Sequence, residues 1–253
     1  MQISAKQLRQ MANDVDDMHH DAMRDFKEET ADLHLDLTRR ARRSFLQRAG
    51  AAGVGGALLT AGGGLVPFTR LVGVAGAQDL SDTVIAGYAQ SVELAAVAAY
   101  TAAAPALSGD TLAVAQLFLG HHQEHADAFG AVAGGDARPE ANAKVVAAVS
   151  PTLDAVTAKV EAGEDATTDV LEFARVLENQ AAYTYAAALT LLQDPAFSKA
   201  TATILPIEAQ HATVLAVALG KGPDDLFPTG AFESAALGDG NDPKAGLDPA
   251  VFA

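Results

Sequence analysis

Between Lys199 and Lys221 the chain carries a single charged side chain, Glu208, in an otherwise apolar run. His211 follows three residues later, so the pair lies on one face of a helix, one turn apart. Ile204, Leu205, Ala212 and Leu215 surround the pair at helical spacing and turn that face inward. A lone buried carboxylate is costly unless it is paired or bound to a metal. Whatever fold the chain adopts must therefore supply a partner for Glu208.

An internal repeat supplies candidates. Glu93 precedes Tyr100 by seven residues, and Glu178 precedes Tyr185 by the same interval. The stretch Ala-Ala-Val-Ala-Ala-Tyr-Thr-Ala at 95–102 resembles Gln-Ala-Ala-Tyr-Thr-Tyr-Ala-Ala at 180–187. Glu178 lies 85 residues after Glu93, and Glu208 and His211 each lie 86 residues after His122 and His125. One helix pair carrying Glu93 with His122 and His125 thus recurs as a second carrying Glu178 with Glu208 and His211. Inward ligands at matching heights on two helix pairs are the sequence form of a metal site in a four-helix bundle.

The helices follow from caps and breakers. Helix A is expected from Ser81, a good N-cap, to a stop before Pro105. Helix B is expected from Asp110 to Val132, ending at Gly134-Gly135. Helix C should run from Thr167 to Leu192. Helix D should open at Asp194-Pro195 and close at Gly220. Short loops join A to B and C to D. A long return, 133–166, holds one or two short helices (141–149, 151–162) and makes the single crossover of a ferritin-like bundle. No alternating run reads as a strand. Helices of about 22–26 residues span roughly 33–39 Å, and every candidate ligand falls near a helix midpoint. The fold class is therefore all-α: a ferritin-like four-helix bundle over 78–220, followed by an irregular Pro/Gly/Asp-rich tail at 221–253.

Residues 1–77 read differently. Residues 1–43 are polar, with helical character around Lys6–Phe26, and His19, His20 and His34, beside several Asp residues, are expected on solvated surface, with a metal role as the alternative. Arg39-Arg40-Ala41-Arg42-Arg43-Ser44-Phe45-Leu46-Gln47 resembles the twin-arginine export consensus. A weakly hydrophobic Gly/Ala run follows at 49–69, then Arg70 and the small-residue site Ala75-Gly76-Ala77. The expectation is export through the twin-arginine translocase with cleavage near Ala77-Gln78, to a periplasmic or extracellular location. An uncleaved membrane anchor is the alternative.

The 253 residues contain no Cys, which removes disulfides and thiolate ligands. A net charge of −15 argues against nucleic acid or an anionic membrane as partner. Carboxylate and imidazole donors suit iron or manganese, with zinc as a permissive competitor. For the individual ligands the plainer alternatives are a solvated Glu93, a Glu178 paired with Arg175, and a hydrogen-bonded core histidine at 125. The coordinated repeat favours the metal site over all three.

The mature region, 78–220, resembles bacterial ferritin-like domain proteins exported by the twin-arginine route and related to desiccation-associated proteins. Glu208-Ala209-Gln210-His211 matches the helix-D motif of that family. The resemblance implies a di-iron or di-manganese carboxylate centre. Glu93 and Glu178 would be terminal ligands, Glu208 a bridging one, and His125 and His211 would each bind one ion. The departure is His122, where the family pattern has Glu. Three carboxylates against two divalent ions leave about +1, to be offset by hydroxide or a shifted Glu124. Two function classes follow. One is a redox metalloprotein acting on O₂ or peroxide, or a stress-protective one, with Tyr100 and Tyr185 beside the ligands or quenching radicals. The other is a non-enzymatic binding or protective protein with a mononuclear or empty site. No acidic patch suited to mineral nucleation is evident, and homo-oligomerisation is left open.

Overall fold

In the computed structural model, residues 3–50 and 81–222 are described, apart from Thr190. The Ser81 hydroxyl accepts from the Val84 N–H and starts α2 (Asp82–Ala103), which gives way to a 3₁₀ turn, Ala104–Ala106, at Pro105. Next comes α3 (Gly109–Ala133), ended by Gly134 at φ 56°, a conformation glycine adopts without steric cost. In α6 (Pro195–Ala218) Asp194 caps the Ala196 N–H and Pro195 takes the first turn, where its missing N–H costs nothing. These three helices match the expected A, B and D to within two residues.

Two expectations need adjustment. α5 spans Thr167–Ala188 and stops four residues short of Leu192. The chain turns there because Asp82 of α2 accepts from the N–H groups of Gln193 and Asp194, at 3.0 and 2.7 Å. Leu191 and Leu192 pack instead on Ile85 and Ala188. The crossover is one helix, α4 (Ala143–Glu161), running through Pro151. Its buried positions Val145, Val149 and Val156 form one stripe continuing past the proline. Proline inside a helix costs about 3 kcal/mol, and the continuous apolar stripe offsets this. The Asn142 N–H bonds the Ser91 carbonyl at 2.8 Å and ties the start of α4 to α2.

α2 packs on α3 and α5 on α6, as the short loops require. Two larger apolar clusters and two smaller ones make up the core of the described residues, and the larger two flank the polar layer. One holds Tyr100, Leu107, Phe118, Leu171 and Leu215, the other Phe129, Tyr185, Phe197 and Ile204. The layer between them carries Glu93, His122, His125, Glu178, Glu208 and His211. Among the described residues there is no strand, and the helices form an all-α bundle. No described helix is long and apolar enough to cross a membrane.

The main departure from the expected surface segment is that a sixth α-helix of the described residues docks on the bundle. α1 (Ala5–Gly50) packs along α6 and α3. Leu8, Ala12, Val15, His19, Ala22 and Phe26 are all buried, at the alternating four- and three-residue spacing of a coiled-coil seam. Burying Leu8, Val15, Met23 and Phe26 favours docking by at most about 6–12 kcal/mol, at about 1.5–3 kcal/mol per large side chain. His34 and the Arg42-Arg43 pair lie where α1 side chains fall outside the described residues, as do 51–80 and the 223–253 tail entirely.

Candidate metal centre

Four helices each bring one or two polar side chains to a single buried layer. Glu93 comes from α2, His122 and His125 from α3, Glu178 from α5, and Glu208 and His211 from α6. None is more than 2% exposed. The six resolve into two overlapping groups, Glu93–His122–His125–Glu208 and His122–Glu178–Glu208–His211. Within each group the potential ligand atoms lie within 4.8 Å of one another. Glu208 and His122 belong to both.

Glu208 is the least satisfied of the six. It is fully buried, and neither carboxylate oxygen has a hydrogen-bond partner. His125 Nδ1 approaches Glu208 Oε1 to 2.9 Å, but the pair is not aligned as a hydrogen bond, and neither His125 nitrogen has one. His211 Nδ1 stands 3.4 Å from Glu208 Oε2. A carboxylate stripped of water with two unbonded oxygens is several kcal/mol too costly to stand alone. Protonated His125 and His211 beside it, or a divalent cation held between the imidazoles and the carboxylates, would answer that cost, and the donor set fits such a metal.

His122 sits between Glu93 and Glu178. Its Nδ1 is 2.7 Å from Glu93 Oε2 and its Nε2 3.1 Å from Glu178 Oε1. Burial pulls its pKa down, but Glu178 and Glu208 outweigh burial and hold it well above the ordinary value. Burial pushes Glu93 and Glu178 up, and the neighbouring imidazoles reverse this and hold both low. Burial pulls His125 down, but the Glu208 and Glu93 carboxylates beside it outweigh burial and raise it to about 9. Without metal the layer is thus a network of imidazolium and carboxylate.

The two tyrosines hold the carboxylates crosswise. The Tyr100 hydroxyl donates to Glu178 and the Tyr185 hydroxyl to Glu93, each reaching the carboxylate of the other repeat. Burial and the Glu178 charge keep the Tyr100 phenol well above its ordinary pKa, so it remains a donor. Phe118 stacks on His211 with ring centroids 4.0 Å apart and fixes that imidazole from the other side. Glu124 is exposed and takes no part in the layer. Arg175 pairs with Glu172 at 3.1 Å and leaves Glu178 to the site.

A family model for a ferritin-like domain matches residues 81–221, more than half of the chain. The chain belongs to the ferritin-like domain family. No curated protein and no solved structure matches it. Ferritin-like membership and the buried Glu/His layer together make the site compatible with metal binding.

One feature of this ferritin-like chain escaped the sequence reading. His19 was expected on the surface and is instead fully buried, stacked on His121 with centroids 3.8 Å apart. His121 Nε2 is 3.1 Å from Asp16 Oδ1, and its Nδ1 is 2.9 Å from His211 Nε2. Burial and neighbouring imidazoles lower His19 to about 2 and His121 to about 3, so both are neutral. The coiled-coil spacing through position 19 was the legible signal. His20, by contrast, is exposed as expected.

Proposed function

We propose that the protein is a redox-active metalloprotein that binds two iron or manganese ions at Glu93, His122, His125, Glu178, Glu208 and His211. The observation that carries this reading is Glu208, fully buried with both oxygens unbonded between His125 and His211. Glu208 would be shared between the ions, Glu93 and His125 serving one and Glu178 and His211 the other. When bound, such ions supply electron transfer to O₂ or peroxide. The chain's own contribution is to fix the carboxylates through Tyr100 and Tyr185, to pin His211 with Phe118, and to exclude water.

A cavity of about 30 Å³ adjoins the site, lined by Glu93, His122 and Glu178 and otherwise mainly by small or apolar side chains, among them Ala96, Ala99 and Val145. That volume suits one water-sized molecule. It supports a diatomic or peroxide-sized reactant. Stopped-flow oxidation of Fe²⁺ under air and with peroxide tests the reading. Wild type should oxidise Fe²⁺ faster than the buffer reaction, and Glu208→Gln should return to the buffer rate. Equal rates in the two proteins would refute it.

A second reading rests on His122. Three carboxylates with His122 protonated, and with His125 and His211 neutral as ligands, leave about −2, which a single divalent ion neutralises. The close approach of both His122 nitrogens to Glu93 and Glu178 favours this mononuclear form, with a binding or protective role in place of turnover.

Export is part of the proposal and rests on residues 39–47. Cleavage near Ala77-Gln78 would separate α1 from the bundle, so the arrangement with α1 docked belongs to the uncleaved chain.

A further inference from the structure

Beyond the six-residue centre, the described residues contain a further compact group of metal-ligating side chains, where α1 crosses α3. We propose that Asp16, His19 and His121 form a separate site for a divalent ion of the Fe²⁺, Co²⁺ or Zn²⁺ class, and that the bound ion fastens α1 to the bundle. Potential ligand atoms of the three residues lie within 4.8 Å of one another. Asp16 and His19 are three residues apart, on one face of α1, and His121 meets them from α3. One carboxylate and two neutral imidazoles, with water completing the shell, are a usual donor set for these ions.

His19 is the observation that points to a ligand. It is fully buried, and neither ring nitrogen has a hydrogen-bond partner. An imidazole at a coiled-coil seam position costs stability that leucine there would not, and stacking on His121 satisfies neither nitrogen. The stacked rings lie 10° from parallel, so their lone pairs run side by side. To share an ion, His19 must turn about its Cβ–Cγ bond, and it has no hydrogen bond to break in doing so. Asp16 is about one-third exposed and opens the site to solvent.

The ion would take the place of the proton now between His121 Nε2 and Asp16. His121 Nδ1 also faces His211 Nε2 at 2.9 Å, a gap with room for one proton. The site needs no occupancy of the buried centre, since all three of its ligands lie outside that layer.

The test uses the full chain, first stripped of metal and then titrated with Zn²⁺ by calorimetry. His19→Phe keeps a ring on His121 without a ligand atom, and Asp16→Asn alters only a partly exposed side chain. Relative to wild type, His19→Phe should bind one ion fewer per chain. Asp16→Asn should weaken that ion by at least the roughly tenfold lost when a ligand's supporting partner is removed. Zn²⁺ should slow tryptic cleavage of α1 at Arg24 and Lys27 in wild type and have no effect in His19→Phe. Unchanged stoichiometry and affinity in both variants would overturn the proposal, as would equal protection of α1 by Zn²⁺ in wild type and His19→Phe. Failure of the buried centre would appear separately, as ions insensitive to Glu208→Gln.

Discussion

Replacing His122 by glutamate perturbs the layer in two opposite directions. Without metal, the substitution removes the group standing 2.7 Å from Glu93 and 3.1 Å from Glu178. It also adds a fourth carboxyl to a site already holding three. Breaking a buried ion pair costs about 3–5 kcal/mol. At roughly 2–4 °C per kcal/mol for a domain of this size, the metal-free variant should melt about 6–20 °C below wild type. With metal the sign reverses. A fourth carboxylate removes the residual positive charge of a two-ion site. One unit charge at about 4 Å, at an effective dielectric constant near 20, is worth about 4 kcal/mol. The second ion should therefore bind more tightly, by up to about three orders of magnitude. His121→Glu should give no such gain, because that side chain faces Asp16 and His19 on the α1 side. Differential scanning calorimetry of the stripped proteins and Mn²⁺ titration of all three chains measure both effects. An unchanged melting temperature for stripped His122→Glu, or a second ion bound no tighter, would refute the reasoning. Better rescue by His121→Glu would refute it too.

Further outcomes follow from the same geometry. In the metal-free chain His125 is raised from 6.5 to about 9, so its stabilisation is fully present below pH 6.5 and lost as pH rises through 9. That loss is about 3 kcal/mol, and urea unfolding at pH 6 and pH 9.5, compared with His125→Gln, checks it. Tyr100→Phe should remove the hydroxyl that donates to Glu178 Oε1 and weaken metal binding by about 10–100-fold. Tyr185→Phe should do the same through Glu93, and competition with a chromophoric chelator reads both. Arg42→Lys with Arg43→Lys should leave a cytoplasmic precursor, and fractionation with N-terminal sequencing decides this. Normal export of the double variant would end the twin-arginine reading.

The carboxylates were legible in the sequence for a simple reason. Glu93 and Glu208 are isolated charges in apolar helices, and a helical period gives each only one direction to face. The register between helices was also legible, since loops of few residues hold antiparallel neighbours at one height. The crosswise tyrosine bonds were not. The seven-residue interval places Tyr100 on the same face as Glu93, yet its hydroxyl reaches Glu178 across the core. Helical spacing contains nothing about which neighbour stands opposite. The merging of two short helices into α4 escaped for a related reason. Pro151 argues locally for a break, and only packing of Val145 and Val149 on Ala95 and Ala99 of α2 overrides it. α1 was obscured by its many charged residues. Its seam is built partly from Ala12, Ala22 and His19, side chains that carry little hydropathy signal, so the solvated faces dominated the reading.

A metalloprotein of this kind must hold its metal in the buried layer through Glu208. The direct measurement is the metal content of the purified chain after loading with Mn²⁺ and removal of free ion by gel filtration. It is best made on the His19→Phe background, where the outer site is absent. Elemental analysis at saturation should find two ions per chain, the second held more weakly, and both lost in Glu208→Gln. A chain that retains no ion, or a Glu208→Gln variant that retains as much as its parent, would contradict the account.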